Sequence, residues 1–258
     1  MQLPQYQRLG GPQTLFSISF GRFSVIIVSL PFFGFIFCVA YSVLFFFKQS
    51  TGTHCHVFNL LPSISAAIGN YQPQRFVWQL CIVLHFLPRL LIARMYLKHY
   101  EDIIRMNRRG FAYLAVFLNI LENFALLGLS LFTSIDSYEI HKNCFVTFIA
   151  ASEVYMLISY FLNKNGRKIP ELNKIEEKSL KYKQRLFLIN VVCFALAGYF
   201  FVRHNEYCEP MIYTFFAFFE YIVVFTNMGF HMTAYWDFSM LSLAFDWING
   251  FHFIPTGS

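Results

Sequence analysis

Residues 23–47 read FSVIIVSLPFFGFIFCVAYSVLFFF, twenty-five consecutive positions without one charged side chain. At about 1.5 Å of helical rise per residue, such a run crosses the ~30 Å hydrocarbon layer of a bilayer with length to spare. Five more apolar runs follow, at 76–97, 111–132, 144–162, 186–202 and 211–235, the fifth being the shortest. The composition agrees: 57% of the 258 residues are apolar and 13% are charged, against roughly 45–50% and 25% in soluble domains. A water-soluble fold of this size has too few charges to cover so much apolar surface. The class implied is an all-α integral membrane protein, a bundle of six transmembrane helices forming one domain over 1–258, with no internal repeat.

Charge orients the bundle. Lys98, Arg105, Arg108 and Arg109 follow the second run, and eight basic residues from Lys164 to Arg185 follow the fourth. The three intervening loops, 48–75, 133–143 and 203–210, carry little beyond Lys48, Arg75, Lys142 and Arg203. Positive loops stay cytosolic, so both termini are expected in the cytosol and the three sparse loops in the lumen. The first run follows Arg8 and Arg22 and lacks a small-x-small cleavage site, as an uncleaved signal-anchor does. The segment 163–185 reads as a solvated cytosolic linker with room for a short helix. The aromatic tail after Asp237 reads as an interfacial segment. The net charge of +6 is accounted for by this clustering, so nucleic acid is not an expected partner; membrane lipids are.

The six cysteines include no CxxC pair and no zinc-type spacing, so no metal site is expected. Cys38, Cys81, Cys144 and Cys193 lie in or beside apolar runs, where cysteine behaves as a small hydrophobe. Cys55 and Cys208 alone fall in luminal loops, where disulfides persist, and are expected to pair.

Ionisable side chains inside the runs are costly, roughly 2.5–3.5 kcal/mol for a charge at mid-bilayer, and must face a partner or a wet cavity. Glu122, Glu153 and Glu220 lie within the third, fourth and sixth runs, and His85 and Arg89 within the second. Glu220, Asn227 and His231 share one stripe of the sixth helix at i, i+7 and i+11, as Asn119, Glu122 and Asn123 cluster on the third. One reading has Arg89 locking helices together through Glu122, Glu153 or Glu220. The other has these groups lining a cavity that takes a lipid headgroup or relays protons.

The luminal loops hold a second constellation. His54, Cys55 and His56 precede Leu61-Pro62-Ser63-Ile64-Ser65 in the first loop, and Arg203, His204 and Asn205 precede Cys208-Glu209 in the third. A bridge between Cys55 and Cys208 brings His54 and His56 beside His204 and Glu209, with Glu139 and His141 as additions from the middle loop. Imidazole with carboxylate is general-base chemistry for a lipid hydroxyl; the bland reading is capping of helix ends and contact with phosphates. No G-x-S-x-G elbow, HExxH, P-loop or GxGxxG is present.

Certain short stretches are familiar in their order. They include Thr53-His54-Cys55, Leu61-Pro62-Ser63 with Ser65 to Gly69, Pro73-Gln74-Arg75-Phe76-Val77-Trp78, Pro88-Arg89 and Glu122-Asn123. Phe148 to Ser152, Lys183 to Phe187, Arg203-His204-Asn205, Tyr207-Cys208-Glu209, Asn227-Met228, Phe230 to Ala234 and Trp236-Asp237-Phe238 continue them. In these the chain resembles the post-GPI attachment factors of the Frag/DRAM/Sfk family, from the first luminal loop to the end of the sixth helix. The resemblance implies fatty-acid remodelling of glycosylphosphatidylinositol (GPI) anchors on GPI-anchored proteins, at the reacylation of lyso-GPI. It also implies a Golgi membrane location, with the endoplasmic reticulum as a second one.

Two roles fit. As an acyltransferase, the protein would use His54 or His204 as base, with Glu209 orienting the imidazole and Arg203 holding phosphate or oxyanion. Arg89, Glu122, Glu153, Glu220, Asn227 and His231, with His56 and Asn205 outside, would contact lipid. No cofactor is expected beyond an acyl donor, acyl-CoA or a phospholipid. As a non-catalytic factor it would bind lyso-GPI and present it to a separate acyltransferase. A transporter is disfavoured because no pair of broken half-helices or inverted repeat is evident.

Overall fold

The computed structural model describes residues 15–69, 71–248 and 250–255; Arg8 and both chain termini lie outside them. Six helices are long and apolar enough to cross a membrane. They are α1 (Phe20–Phe45), α4 (Gln74–Ile103), α5 (Arg109–Leu131), α6 (Tyr138–Phe161), α7 (Lys174–Tyr207) and α8 (Ile212–Met232). Short helices α2 (Phe47–Ser50) and α3 (Ile64–Gly69) stand between α1 and α4, and α9 (Ala234–Asp237) follows α8. Side chains such as Phe33 and Leu87, two-thirds exposed in the middle of their helices, form an outer surface suited to lipid.

The helices close into a ring in which α1 packs on α4, α4 on α5, α5 on α6, α6 on α7, α7 on α8 and α8 on α1. Small residues set the close approaches: a Cβ on Gly128 of α5 would lie 2.8 Å from the Cys144 sulfur of α6. Two apolar cores cap the ring. One gathers Phe20, Ile92, Tyr96, Tyr100, Tyr155 and Phe230. The other, at the far end, gathers Phe35, Cys38, Ile68, Trp78 and Ile82.

Three features depart from the sequence reading. The fifth span is the longest helix, 34 residues, because the basic segment from Lys174 onward continues it. Asn173 starts it with a capping box, accepting from the Ile175 and Glu176 amides while Glu176 accepts from the Asn173 amide. At its other end the helix runs to Tyr207, so Arg203, His204 and Asn205 stand on a helical turn rather than in a loop.

The second departure is that the fold is not purely helical. β1 (Phe16–Ser19), β2 (Leu241–Asp246) and β3 (Gly250–Pro255) form an antiparallel sheet in the order β1-β2-β3, with Phe16 opposite Phe245 and Leu243 opposite Phe253. The tail is thus a hairpin whose Phe253 packs on Phe20, while Trp247, Ile248 and Phe251 stay exposed. Both described ends of the chain meet in this sheet and share one end of the bundle.

The third is a buried ion pair at that same end. Lys183 of α7 donates to Asp237 of α9 at 2.6 Å, and Ser179 and Tyr96 donate to the same carboxylate at 2.6 and 2.7 Å. Lys183 is 1% exposed and Asp237 6%, so neither charge has water to fall back on. Removing one partner leaves the other buried and unpaired, a loss of about 3–5 kcal/mol. Lys183→Ala is expected to lower thermal stability by that order in detergent. The paired Lys183→Met, Asp237→Leu change should recover most of it; a single variant as stable as wild type would refute the assignment.

Candidate functional site

Inside the ring is a cavity of about 240 Å³. Its walls are apolar: Val28, Leu126, Phe148, Phe194, Ala197 and Val223 contribute from α1, α5, α6, α7 and α8. Its floor is polar. The Arg89 guanidinium (α4) donates to Asn119 Oδ1 at 2.9 Å and stands 3.9 Å from Glu122 Oε2, both on α5. His231 Nε2 (α8) lies 2.8 Å from Glu122 Oε1 and 3.0 Å from the same guanidinium nitrogen. Asn227 donates to Glu122 at 3.0 Å and to Ser152 of α6 at 2.6 Å. The His231 ring stacks on Tyr155, centroids 5.4 Å apart and planes nearly parallel.

These contacts choose between the partners that the sequence leaves open for Arg89. Glu122 is the one. Glu220 lies at the other end of the cavity, where it accepts the Ile64 amide of α3 at 3.0 Å. Glu153 is in neither place, and its two oxygens are buried without a hydrogen-bond partner among the described residues. His85 lines the cavity beside Arg89 and donates through Nδ1 to the Ile27 carbonyl at 2.9 Å.

The loop before α4 folds into the cavity mouth. Tyr221 donates to the Pro62 carbonyl at 2.6 Å, and the Leu60 amide donates to Thr214 at 2.8 Å. Ser42 donates to the Ala67 carbonyl at 2.9 Å, and Gln74 to Ser42 at 3.0 Å. Ile64 and Ser65 thereby become the roof of the cavity.

Cys55 and Cys208 form a disulfide, Cα atoms 5.2 Å apart, which ties this loop to the end of α7. Cys208 ends that helix in the left-handed region, φ 50°. His54 comes beside His204, ring centroids 5.7 Å apart. The expected carboxylate relay is not formed there. Glu209 accepts two hydrogen bonds from Arg203, at 2.7 and 3.1 Å, because the guanidinium fork matches a carboxylate better than an imidazole does. Those bonds hold the Glu209 carboxyl below its ordinary range. His204 is fully buried, with Nε2 on the Thr53 hydroxyl at 3.1 Å. His54, His56 and Asn205 are exposed around it.

The chain matches the Frag1/DRAM/Sfk1/Cwh43P N-terminal domain over residues 19–241. It is 56% identical over 251 residues to the post-GPI attachment to proteins factor 2 of Drosophila pseudoobscura pseudoobscura, covering 97% of this chain and 98% of that protein. It is 44% identical over 231 residues to the acyltransferase PGAP2 of Xenopus tropicalis, covering 88% and 91%. The counterpart named post-GPI attachment to proteins factor 2 in Caenorhabditis elegans is 42% identical over 235 residues, covering 88% and 89%. No solved structure matches. A multi-helix bundle with a polar-floored cavity thus defines the class, and the chain belongs to the Frag1/DRAM/Sfk1/Cwh43P family. Within that family it is similar, over nearly its whole length, to the proteins named post-GPI attachment to proteins factor 2.

Two outcomes are expected of this geometry. Alkylation of the denatured, unreduced protein should modify Cys38, Cys81, Cys144 and Cys193 but not Cys55 or Cys208 until reductant is added, read by peptide mass spectrometry. Arg89→Ala strands the Glu122 carboxylate in the membrane core and should cost about 3 kcal/mol or more. Adding Glu122→Gln should restore part of the lost thermal stability; equal losses in single and double variants would disprove the coupling.

Proposed function

We propose that this protein acts in fatty-acid remodelling of GPI anchors, at the step that reacylates lyso-GPI on GPI-anchored proteins in the Golgi membrane. In this reading it is the acyltransferase or an essential part of it. The names of its relatives, post-GPI attachment to proteins factor 2 and acyltransferase PGAP2, support the reaction class. The observation that carries the reading is the cavity. Glu220 at its mouth and His231 at its floor are eleven residues apart on α8, about 16 Å of helical rise. That is close to half of the ~30 Å hydrocarbon layer, the depth that one leaflet's acyl chains occupy.

The apolar walls suit the chain, and the Arg89–Glu122–His231 floor stops it. We place the disulfide end in the lumen, where oxidised cysteines persist and the anchor headgroup lies. The sheet and the basic segments then face the cytosol, in keeping with the positive-inside rule. His54, His56 and Asn205 on the rim are proposed to meet the headgroup. His204, buried under the disulfide and without a carboxylate, serves better as a support for that rim than as a base. The donor is a phospholipid or acyl-CoA.

The test is transfer by the purified protein in nanodiscs, offered lyso-GPI with labelled phospholipid or labelled acyl-CoA. Reacylated product is expected from one donor. Ala197→Phe, which fills the cavity, should lower the rate by about tenfold or more by displacing the bound chain. Binding of lyso-GPI without transfer from either donor would overturn the catalytic reading and leave a presenting factor for a separate acyltransferase.

A further inference from the structure

The roof of the cavity carries Ser65, whose hydroxyl is paired with an imidazole from the neighbouring small cavity. The Ser65 hydroxyl of α3 lies 3.0 Å from His141 Nε2 of α6. His141 Nδ1 lies 2.8 Å from the Phe132 carbonyl oxygen. A carbonyl oxygen only accepts, so Nδ1 holds the imidazole proton and donates it there. Nε2 is then the free lone pair, and the Ser65 hydroxyl is its donor. A hydroxyl, an imidazole of fixed tautomer and an oxygen that orients the ring are the three parts of an activated serine nucleophile.

Position adds a second argument. Ser65 lines the large apolar cavity, and it also lines a smaller one of about 50 Å³ shared with His141, Arg75 and Thr133. It stands where an acyl chain and a polar headgroup would meet. Arg75 is held in place by Asp136, close enough to the small cavity to face a lipid phosphate. The serine is on a rigid element: α3 is fixed through Ile64 to Glu220 and through Ala67 to Ser42.

We propose that Ser65 and His141 are the nucleophile and base of the acyl transfer, working through an acyl-serine intermediate with the chain in the large cavity. The inference rests on the acyltransferase reading and names its catalytic residues. In the first half, Ser65 Oγ gives its proton to His141 and bonds to the carbonyl carbon of a long-chain phospholipid ester. The bond from that carbon to the glycerol oxygen breaks, and His141 returns the proton to this oxygen, releasing a lysophospholipid. In the second half the free hydroxyl of lyso-GPI gives its proton to His141, and its oxygen bonds to the acyl carbon. The Ser65 ester then breaks, and the proton goes back to Ser65. No other reactant is needed.

The experiment uses a long-chain alkyl fluorophosphonate on the full chain in nanodiscs, with peptide mass spectrometry, beside the transfer assay. The wild type should carry one adduct, on Ser65. Ser65→Ala should carry none, and His141→Gln should be labelled about a hundredfold more slowly. Ser65→Cys keeps side-chain volume and should instead react with iodoacetamide at a rate that falls when His141→Gln is added. Melting temperatures close to wild type exclude misfolding as the cause. Absence of an adduct on wild-type Ser65, or full transfer by Ser65→Ala, overturns the inference and leaves the reacylation reading standing. An adduct on Ser65 without any transfer to lyso-GPI retains the nucleophile and overturns that reading instead.

Discussion

A guanidinium in the middle of a hydrocarbon layer can be satisfied only by the protein around it, and Arg89 dictates much of what surrounds it. One nitrogen of that group reaches Asn119, Glu122 and His231, and Asn227 relays Glu122 to Ser152. Four helices, α4, α5, α6 and α8, are thereby held at one level. Sliding α4 or α5 by a turn would bury a charge without its partner, at several kcal/mol, and sliding α6 or α8 would break hydrogen bonds of the same network. The apolar packing between the same helices sets register only at close approaches such as Gly128 against Cys144. The polar belt therefore fixes how the ring closes, and with it the floor of the cavity.

The mouth is fixed by different means. Segment 55–69 is not a span and has no long helix of its own, yet it is held from several sides by Cys208, Thr214, Tyr221, Glu220 and Ser42. Most of these are bonds from side chains to its main chain, so the position of the backbone is determined with little dependence on the loop's own side chains. That leaves Ser65 free to face the cavity. Groups that do chemistry work best when other groups hold their backbone.

How much of this was legible in the sequence depends on the scale of the signal. The six spans were, because hydropathy sums over twenty residues. The length of α7 was not: the basic residues after Lys174 ended the apolar window although the helix did not end, and Asn173 with Glu176 was the stronger marker. The hairpin left a trace in Asn249-Gly250, a turn dipeptide flanked by apolar residues, but aromatic density suggested an interfacial tail instead. Arg89 had three plausible carboxylates, and position along the helices could not choose among them. Glu209 reads as the partner of an imidazole that the Cys55–Cys208 bridge brings near it; Arg203, on the same turn as His204 and bidentate, takes it instead. Lys183 looked like one more topogenic lysine. Only the packing of α9 against α7 reveals its partner.

The floor and the mouth each offer an imidazole, and physical arguments separate them. His231 has a carboxylate at 2.8 Å, which alone suggests a base. Its Nε2 is also the atom that Arg89 approaches at 3.0 Å, and its ring is stacked against Tyr155. Such a ring is a strut between two charges. A base there would also need the hydroxyl of a headgroup-bearing lipid to sink about 16 Å below the level of Glu220, with the polar groups of the anchor drawn after it. His141 has neither difficulty. Its tautomer is set by a neutral carbonyl, its free nitrogen meets a hydroxyl, and that hydroxyl lines both the large apolar cavity and the smaller one beside Arg75. Under the proposed reaction, chemistry at the mouth would keep the carbohydrate and protein of the anchor in water throughout, while the floor does what a buried charge network does well, holding a shape.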